Sequence, residues 1–241
     1  MTGQGATGQS VPGPGGDPGS TATCHPWRVH VIFDLDGTVW DSEPGILACM
    51  AHAMGELGLA VPDEATLRSH IGPPLRSMLA DIGVPEPLLD DGVRLYRERY
   101  LTTGVFEASL YDGVEALLDR VAADGHVLST ATSKGEVPTM TMLEHFGIDD
   151  RFAVVGAATM DGSATTKVEV LARTLDRLDG PPPGTCVLIG DRDLDVAGAA
   201  THGLDCIGAA WGYGGAEELR SAGAWAIAAS PADVPGLLAR R

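Results

Sequence analysis

Val29-His30-Val31-Ile32-Phe33-Asp34-Leu35-Asp36-Gly37-Thr38 is a short apolar run that ends in two carboxylates and a glycine. An uninterrupted apolar stretch of this length predicts a buried strand that terminates at Asp34. Asp34 and Asp36 stand two positions apart, so in extended backbone their side chains point the same way, into the cleft beyond the strand end. Carboxylates that close repel, which favours a bound cation or one shared proton. Gly37 lets the chain turn sharply after the pair, and Thr38 can hydrogen-bond that turn. D-x-D-G by itself is also the pattern of a surface Asx-turn. Its meaning rests on what the remaining chain brings to the same place.

Downstream, apolar runs of strand length alternate with segments of helical period. Asp112-Gly113-Val114-Glu115 resembles a capping box, and Val114, Leu117, Leu118 and Val121 give the helix after it an apolar face. Strands are then expected at 127–132, 152–155, 186–189, 204–207 and 225–227, with helices at 137–146, 167–178 and 195–202 between them. This alternation predicts an α/β fold, a Rossmann-like parallel sheet with helices on both faces. Such sheets bind ligands beyond the carboxyl ends of their strands.

Between the first strand and this array the pattern is helical. Ile46, Leu47, Met50, Met54 and Leu57 recur at three and four residues, Gly58 follows as a C-terminal cap, and Asp63 can cap the next helix. Val93, Tyr96 and Tyr100 mark a last helix. The chain therefore divides into a catalytic core at 27–43 and 110–241 and an all-helical cap inserted at 44–109. Residues 1–26 are rich in Gly, Pro, Ser and Thr, too poor in apolar surface to offset the entropy of ordering, and predict a disordered tail.

Bulk properties narrow the function further. With 241 residues and 44% hydrophobic composition, the chain can bury roughly 70% of its unfolded surface. A net charge of -17 disfavours nucleic acid and anionic bilayers as partners. It leaves room for a small phosphate ester, because a divalent cation can reverse the field within one cleft. The cysteines Cys24, Cys49, Cys186 and Cys206 form no C-x-x-C pair and suit buried thiols in a reducing compartment. No apolar run approaches the ~18 to 20 residues of a membrane span, and no secretory signal opens the chain. A cytoplasmic location is expected, with monomer and homodimer equally open.

Asp34, Thr132 and Asp191 each end or follow an expected strand, and Lys167 opens a helix, so four polar groups converge on one sheet edge. Thr132, with Ser133 and Lys134, leads into a helix whose N-terminus would favour phosphate, although a plain helix cap and a solvated lysine are the simpler alternatives. Lys167 is unusual at a helix start, where the dipole prefers anions, and a buried anion nearby would explain it. The segment is not a Walker A loop, since Thr166 stands where that motif needs glycine. Gly190-Asp191-Arg192-Asp193-Leu194-Asp195 adds carboxylates that could join Asp34 around magnesium. An EF-hand loop does not fit, because Val196 and His202 occupy its glycine and glutamate positions.

Taken together and in this order, Asp34-Leu35-Asp36-Gly37-Thr38, Thr132, Lys167 and Gly190-Asp191 with Asp195 resemble the haloacid dehalogenase superfamily of phosphohydrolases, in its subgroup with a helical cap. Ile71-Gly72-Pro73-Pro74-Leu75 and Trp211-Gly212-Tyr213-Gly214 look like its phosphoglycolate phosphatase and 5'-nucleotidase branch. The resemblance implies Asp34 as nucleophile and Asp36 as acid/base. It implies Mg2+ held by Asp34, the Asp36 carbonyl and Asp191, and Thr132, Ser133 and Lys167 on the phosphoryl oxygens. Asp195 would orient Lys167 or a metal-bound water, and Arg76 would contact a small phosphorylated metabolite from the cap. Members that cleave carbon–halogen bonds do not need the second aspartate, so Asp36 argues for phosphate. Val39-Trp40 departs from the usual pattern and is expected to reshape the pocket wall without touching the catalytic set. A phosphomutase shares the nucleophile and acid/base pair; a receiver-type signalling module lacks the helical insert.

Overall fold

The computed structural model describes residues 1–2 and 28–241. Nearly all of the expected tail, and Cys24 with it, lies outside the described residues.

Six parallel strands form the main sheet: β1 (His30–Phe33), β4 (Val127–Gly135), β5 (Val154–Ala158), β6 (Cys186–Gly190), β7 (Asp205–Ala209) and β8 (Ala226–Ala228). Their spatial order is β5-β4-β1-β6-β7-β8. The chain leaves β1 to build one side, through β4 and β5, then returns to β1's other edge with β6. That reversal creates a crevice at the carboxyl end of β1, between β4 and β6, where ligands bind in open α/β sheets.

Side-chain alternation splits the core into two layers. Val31 and Phe33 face α5 (Val114–Ala123) and α6 (Glu136–Phe146), burying Leu118 and Leu143. Ile32 faces the opposite side, against Leu171 of α7 (Lys167–Arg177) and Ala199 of α8 (Asp193–Thr201). Both faces of β1 are thus dry, which is why its sequence reads as a continuous apolar run rather than an alternating one.

The insert consists of α1 (Glu43–Glu56), α2 (Glu64–Ser69), α3 (Leu75–Asp81) and α4 (Leu89–Thr102). A short antiparallel pair, β2 (Trp40–Asp41) and β3 (Ser109–Leu110), closes its two ends, so chain departure and return are fastened side by side. Asp63 caps α2 as expected, its carboxylate accepting from the Thr66 amide at 2.8 Å. The capping box expected at Asp112–Glu115 does not form: α5 begins after Gly113 at φ 85°, with no side-chain cap. A capping box does form at Thr166 and Glu169, where it fixes the start of α7 and so the origin of Lys167. No described helix is long and apolar enough to cross a membrane.

Candidate active site

The first turn of α7 sends Lys167 inward, only 7% exposed. Its ammonium lies 2.6 Å from Asp34 Oδ1 and 2.8 Å from Asp195 Oδ1, and donates to the Ala131 carbonyl at 2.7 Å. The buried anion that this lysine's placement called for is therefore a pair of carboxylates. Burial alone would lower the Lys167 pKa; Asp195 and Asp34 outweigh it and raise it.

Asp191 follows β6 and is fully buried. Its Oδ1 accepts from Thr38 Oγ1 at 3.2 Å and its Oδ2 from the Tyr213 amide at 2.8 Å. Gly37 makes this possible: it sits at φ 79°, and a Cβ there would fall 2.2 Å from Asp191 Oδ2. Gly212 is needed on the other flank, where a Cβ would lie 2.4 Å from that of Asp191.

Oxygens of Asp34, Asp191 and Asp195 lie within 4.8 Å of one another. One ammonium in direct contact is set against these three buried carboxylates. Burial pushes the Asp34 carboxyl up to about 7 despite the pull of Lys167, with Asp195 pushing the same way as burial. Burial, then the charges of Asp195 and Asp34, hold Asp191 well above the usual carboxylate range. An excess of buried negative charge on hard oxygen donors fits a divalent cation such as magnesium. Metal binding needs Asp34 ionised, so a proton on Asp34 competes with it below about pH 7. Magnesium is accordingly expected to raise Tm more at pH 8 than at pH 6, and Asp191→Asn to remove most of that shift. Scanning calorimetry with and without the ion checks both; a shift equal at the two pH values, or retained in the variant, contradicts the assignment.

Asp36 lines the same cleft but belongs to a separate network. Its Oδ1 accepts from Trp40 Nε1 at 2.7 Å and from Ser42 Oγ at 2.5 Å, and its Oδ2 pairs with Lys134 Nζ at 3.1 Å. The expected repulsion between Asp34 and Asp36 is thus met by two different lysines, Lys167 and Lys134. One expectation needs correction here, and one open alternative is resolved. Trp40 does touch Asp36, because the turn at Gly37 folds its indole back onto that carboxylate while Phe146 packs against the ring. Lys134 is not a solvated charge: its side chain is 6% exposed. The strand expected to end at Thr132 runs on to Gly135 through a register irregularity, which carries Lys134 into the cleft instead of onto a helix.

Thr132 is buried and its Oγ1 accepts from the Lys134 amide at 3.2 Å; both Thr132 and Ser133 line the cleft. Arg76 lines the cap side, its guanidinium paired with Glu86 at 2.7 Å and with Asp90. Residue-by-residue reading gave no site role to Ser42, Tyr100 or Tyr213, and left Lys134 between a phosphate-facing helix start and a solvated charge. Tyr213 had a signal in the Trp211-Gly212-Tyr213-Gly214 run; Ser42, six residues after Asp36, had none. The cleft between core and cap measures about 640 Å³, and its cap wall includes Ile71, Pro73, Met78, Val93 and Tyr96.

A parallel α/β sheet whose central strand ends in buried carboxylates, beneath a helical cap, defines a capped hydrolase-type fold. The chain belongs to the haloacid dehalogenase-like hydrolases, whose family profile matches residues 31–209. It is 43% identical over 188 residues to the tyrosine-protein kinase PtkA of Mycobacterium tuberculosis, covering 78% of this chain and 64% of PtkA. The match thus spans less than two thirds of that relative's length. It is 37% identical over 193 residues to a 5'-nucleotidase of Pseudomonas aeruginosa, covering 80% of this chain and 87% of the relative. Among solved structures, a predicted phosphatase from Clostridium acetobutylicum superposes with a TM-score of 0.81 at 34% identity, covering 88% of this chain and 97% of that one. The nucleotidase bears out the branch likeness seen in the loop motifs.

Proposed function

We propose that this chain is a magnesium-dependent phosphatase that hydrolyses small phosphate monoesters through an aspartyl-phosphate on Asp34. The observation that carries the reading is the Lys167 ammonium held between Asp34 and Asp195, with Asp191 beside them, at the carboxyl end of β1. A carboxylate so placed can attack phosphorus in line, splitting hydrolysis into two displacements. Asp36 protonates the leaving oxygen and then takes a proton from the attacking water. Thr132, the Ser133 amide and Lys167 bind the remaining phosphoryl oxygens, and Asp195 orients Lys167. Asp34, the Asp36 carbonyl and Asp191 would hold magnesium, which when bound neutralises charge between nucleophile and phosphate. Residues 44–109 act as the cap that excludes bulk water, with Arg76 as a substrate contact once its acidic partners are exchanged for the ligand. A two-carbon ester such as phosphoglycolate and a 5'-nucleotide are the candidate substrates, in a cytoplasmic setting.

Phosphate release across a panel of monoesters, with and without magnesium, tests the reading. Magnesium-dependent release from at least one ester supports it; release that ignores magnesium contradicts it. A second reading, transfer of the phosphoryl group to an acceptor other than water, is favoured by the 43% identity to a protein named as a tyrosine kinase. It uses the same Asp34 chemistry and differs in the second displacement. Appearance of phosphotyrosine or of an isomerised sugar phosphate, in place of inorganic phosphate, would select it.

A further inference from the structure

Tyr100 belongs to the cap helix α4, yet its hydroxyl is spent on the core. Its hydroxyl accepts from Lys134 Nζ at 2.5 Å and donates to Met142 Sδ at 3.6 Å. The same ammonium lies 4.4 Å from the centre of the Tyr100 ring, so Lys134 meets both the oxygen and the π-face. On its far side Lys134 reaches Asp36 Oδ2 at 3.1 Å. Tyr96 stacks on Tyr100 with ring centres 5.4 Å apart, which leaves the phenol little rotational freedom. Holding a long flexible ammonium stem in one position costs rotamer entropy, which these contacts help to offset.

We infer that Tyr100 is a positioning residue: through Lys134 it fixes Asp36 Oδ2 where the leaving oxygen must be protonated, and it does so only while α4 lies against β4. The inference rests on the phosphatase reading and on Asp36 as its general acid. In the first displacement an Asp34 oxygen forms a bond to phosphorus as the ester P–O bond breaks, and the carboxylic proton of Asp36 passes to the departing oxygen. A misplaced Asp36 therefore harms esters whose leaving group must be protonated. In that step it spares those whose leaving group departs as a stable anion, while the later attack of water, which also uses Asp36, slows for every ester alike. The difference between esters therefore shows in kcat/KM, which the first displacement sets. The cap thus contributes a constraint on the acid, besides walls for the substrate.

The experiment compares two esters in each protein: 4-nitrophenyl phosphate, which leaves as a stabilised phenolate, and the best alkyl monophosphate from the substrate panel. Tyr100→Phe keeps the ring and removes the oxygen; Lys134→Met keeps the stem and removes the charge. Each is expected to lower kcat/KM for the alkyl ester by roughly tenfold or more, as loss of part of the general acid contribution would. For 4-nitrophenyl phosphate kcat/KM should stay within about threefold of the parent. Equal losses of kcat/KM on both esters would mean that Tyr100 serves folding or cap docking alone and overturns the inference, as would no loss on either. A parent chain that releases phosphate from neither ester refutes the phosphatase reading itself and the inference with it. Circular dichroism melts of the variants report separately on folding.

Discussion

Asp34→Asn is expected to lower magnesium-dependent phosphate release by at least about 10³-fold, the scale on which losing a nucleophile acts. The amide has nearly the carboxylate's volume and fills the same space at the end of β1, so the change isolates chemistry from packing. Lys167 retains Asp195 at 2.8 Å, which keeps the ammonium partnered. The variant also removes one of three carboxylates that share a buried site. Because burial already pushes Asp34 up to about 7, ionising it above that pH costs the metal-free parent stability that the amide does not lose. The variant should therefore melt at or above the parent's temperature at pH 8 in chelator while being inert. Substantial turnover in a preparation free of contaminating phosphatase would remove Asp34 from its role.

The main features of this site were legible because the fold writes them as breaks in pattern. An apolar strand that ends in a carboxylate, a lysine opposing a helix dipole, and an aspartate following a second apolar strand each violate a local expectation, and a sheet edge reconciles them. Lys167 shows this best, since its position is unfavourable until Asp34 and Asp195 are seen around it. What stayed hidden depends on side chains meeting across long sequence separations. Tyr100 and Lys134 lie 34 residues apart and Ser42 and Tyr213 lie 171 apart. Their local patterns say only amphipathic helix, strand end or turn. Trp40 was misjudged for a related reason: the left-handed turn at Gly37 reverses the chain, so a residue four positions on returns to Asp36. The absent capping box at Asp112 reflects a helix that starts one residue later than the motif needs.

Lys167→Met should produce the largest loss of stability of any substitution in this cleft, and the loss should depend on pH. The methionine keeps the apolar stem but leaves Asp34, Asp191 and Asp195 facing one another without a cation, and breaking a buried ion pair from one side costs about 3 to 5 kcal/mol. Lys167 has its pKa raised by Asp195 and Asp34, so its contribution is complete below the ordinary lysine value and persists through neutral pH. The carboxylates behave in the opposite sense. Asp34 is pushed up to about 7 in the parent, and its value rises further once Lys167 no longer pulls it down. At pH 6 the variant can hold protons on Asp34 and Asp191 and lose part of the repulsion; at pH 8 ionised carboxylates confront each other. In chelator the Tm gap between parent and variant should widen as pH rises from 6 to 8. Magnesium should narrow it again at pH 8, by supplying the positive charge the variant lacks, without restoring phosphate release, because the phosphoryl oxygens have lost their ammonium. A gap that is constant with pH, or a variant more stable than the parent at pH 8, would show that the three carboxylates are not held together by Lys167.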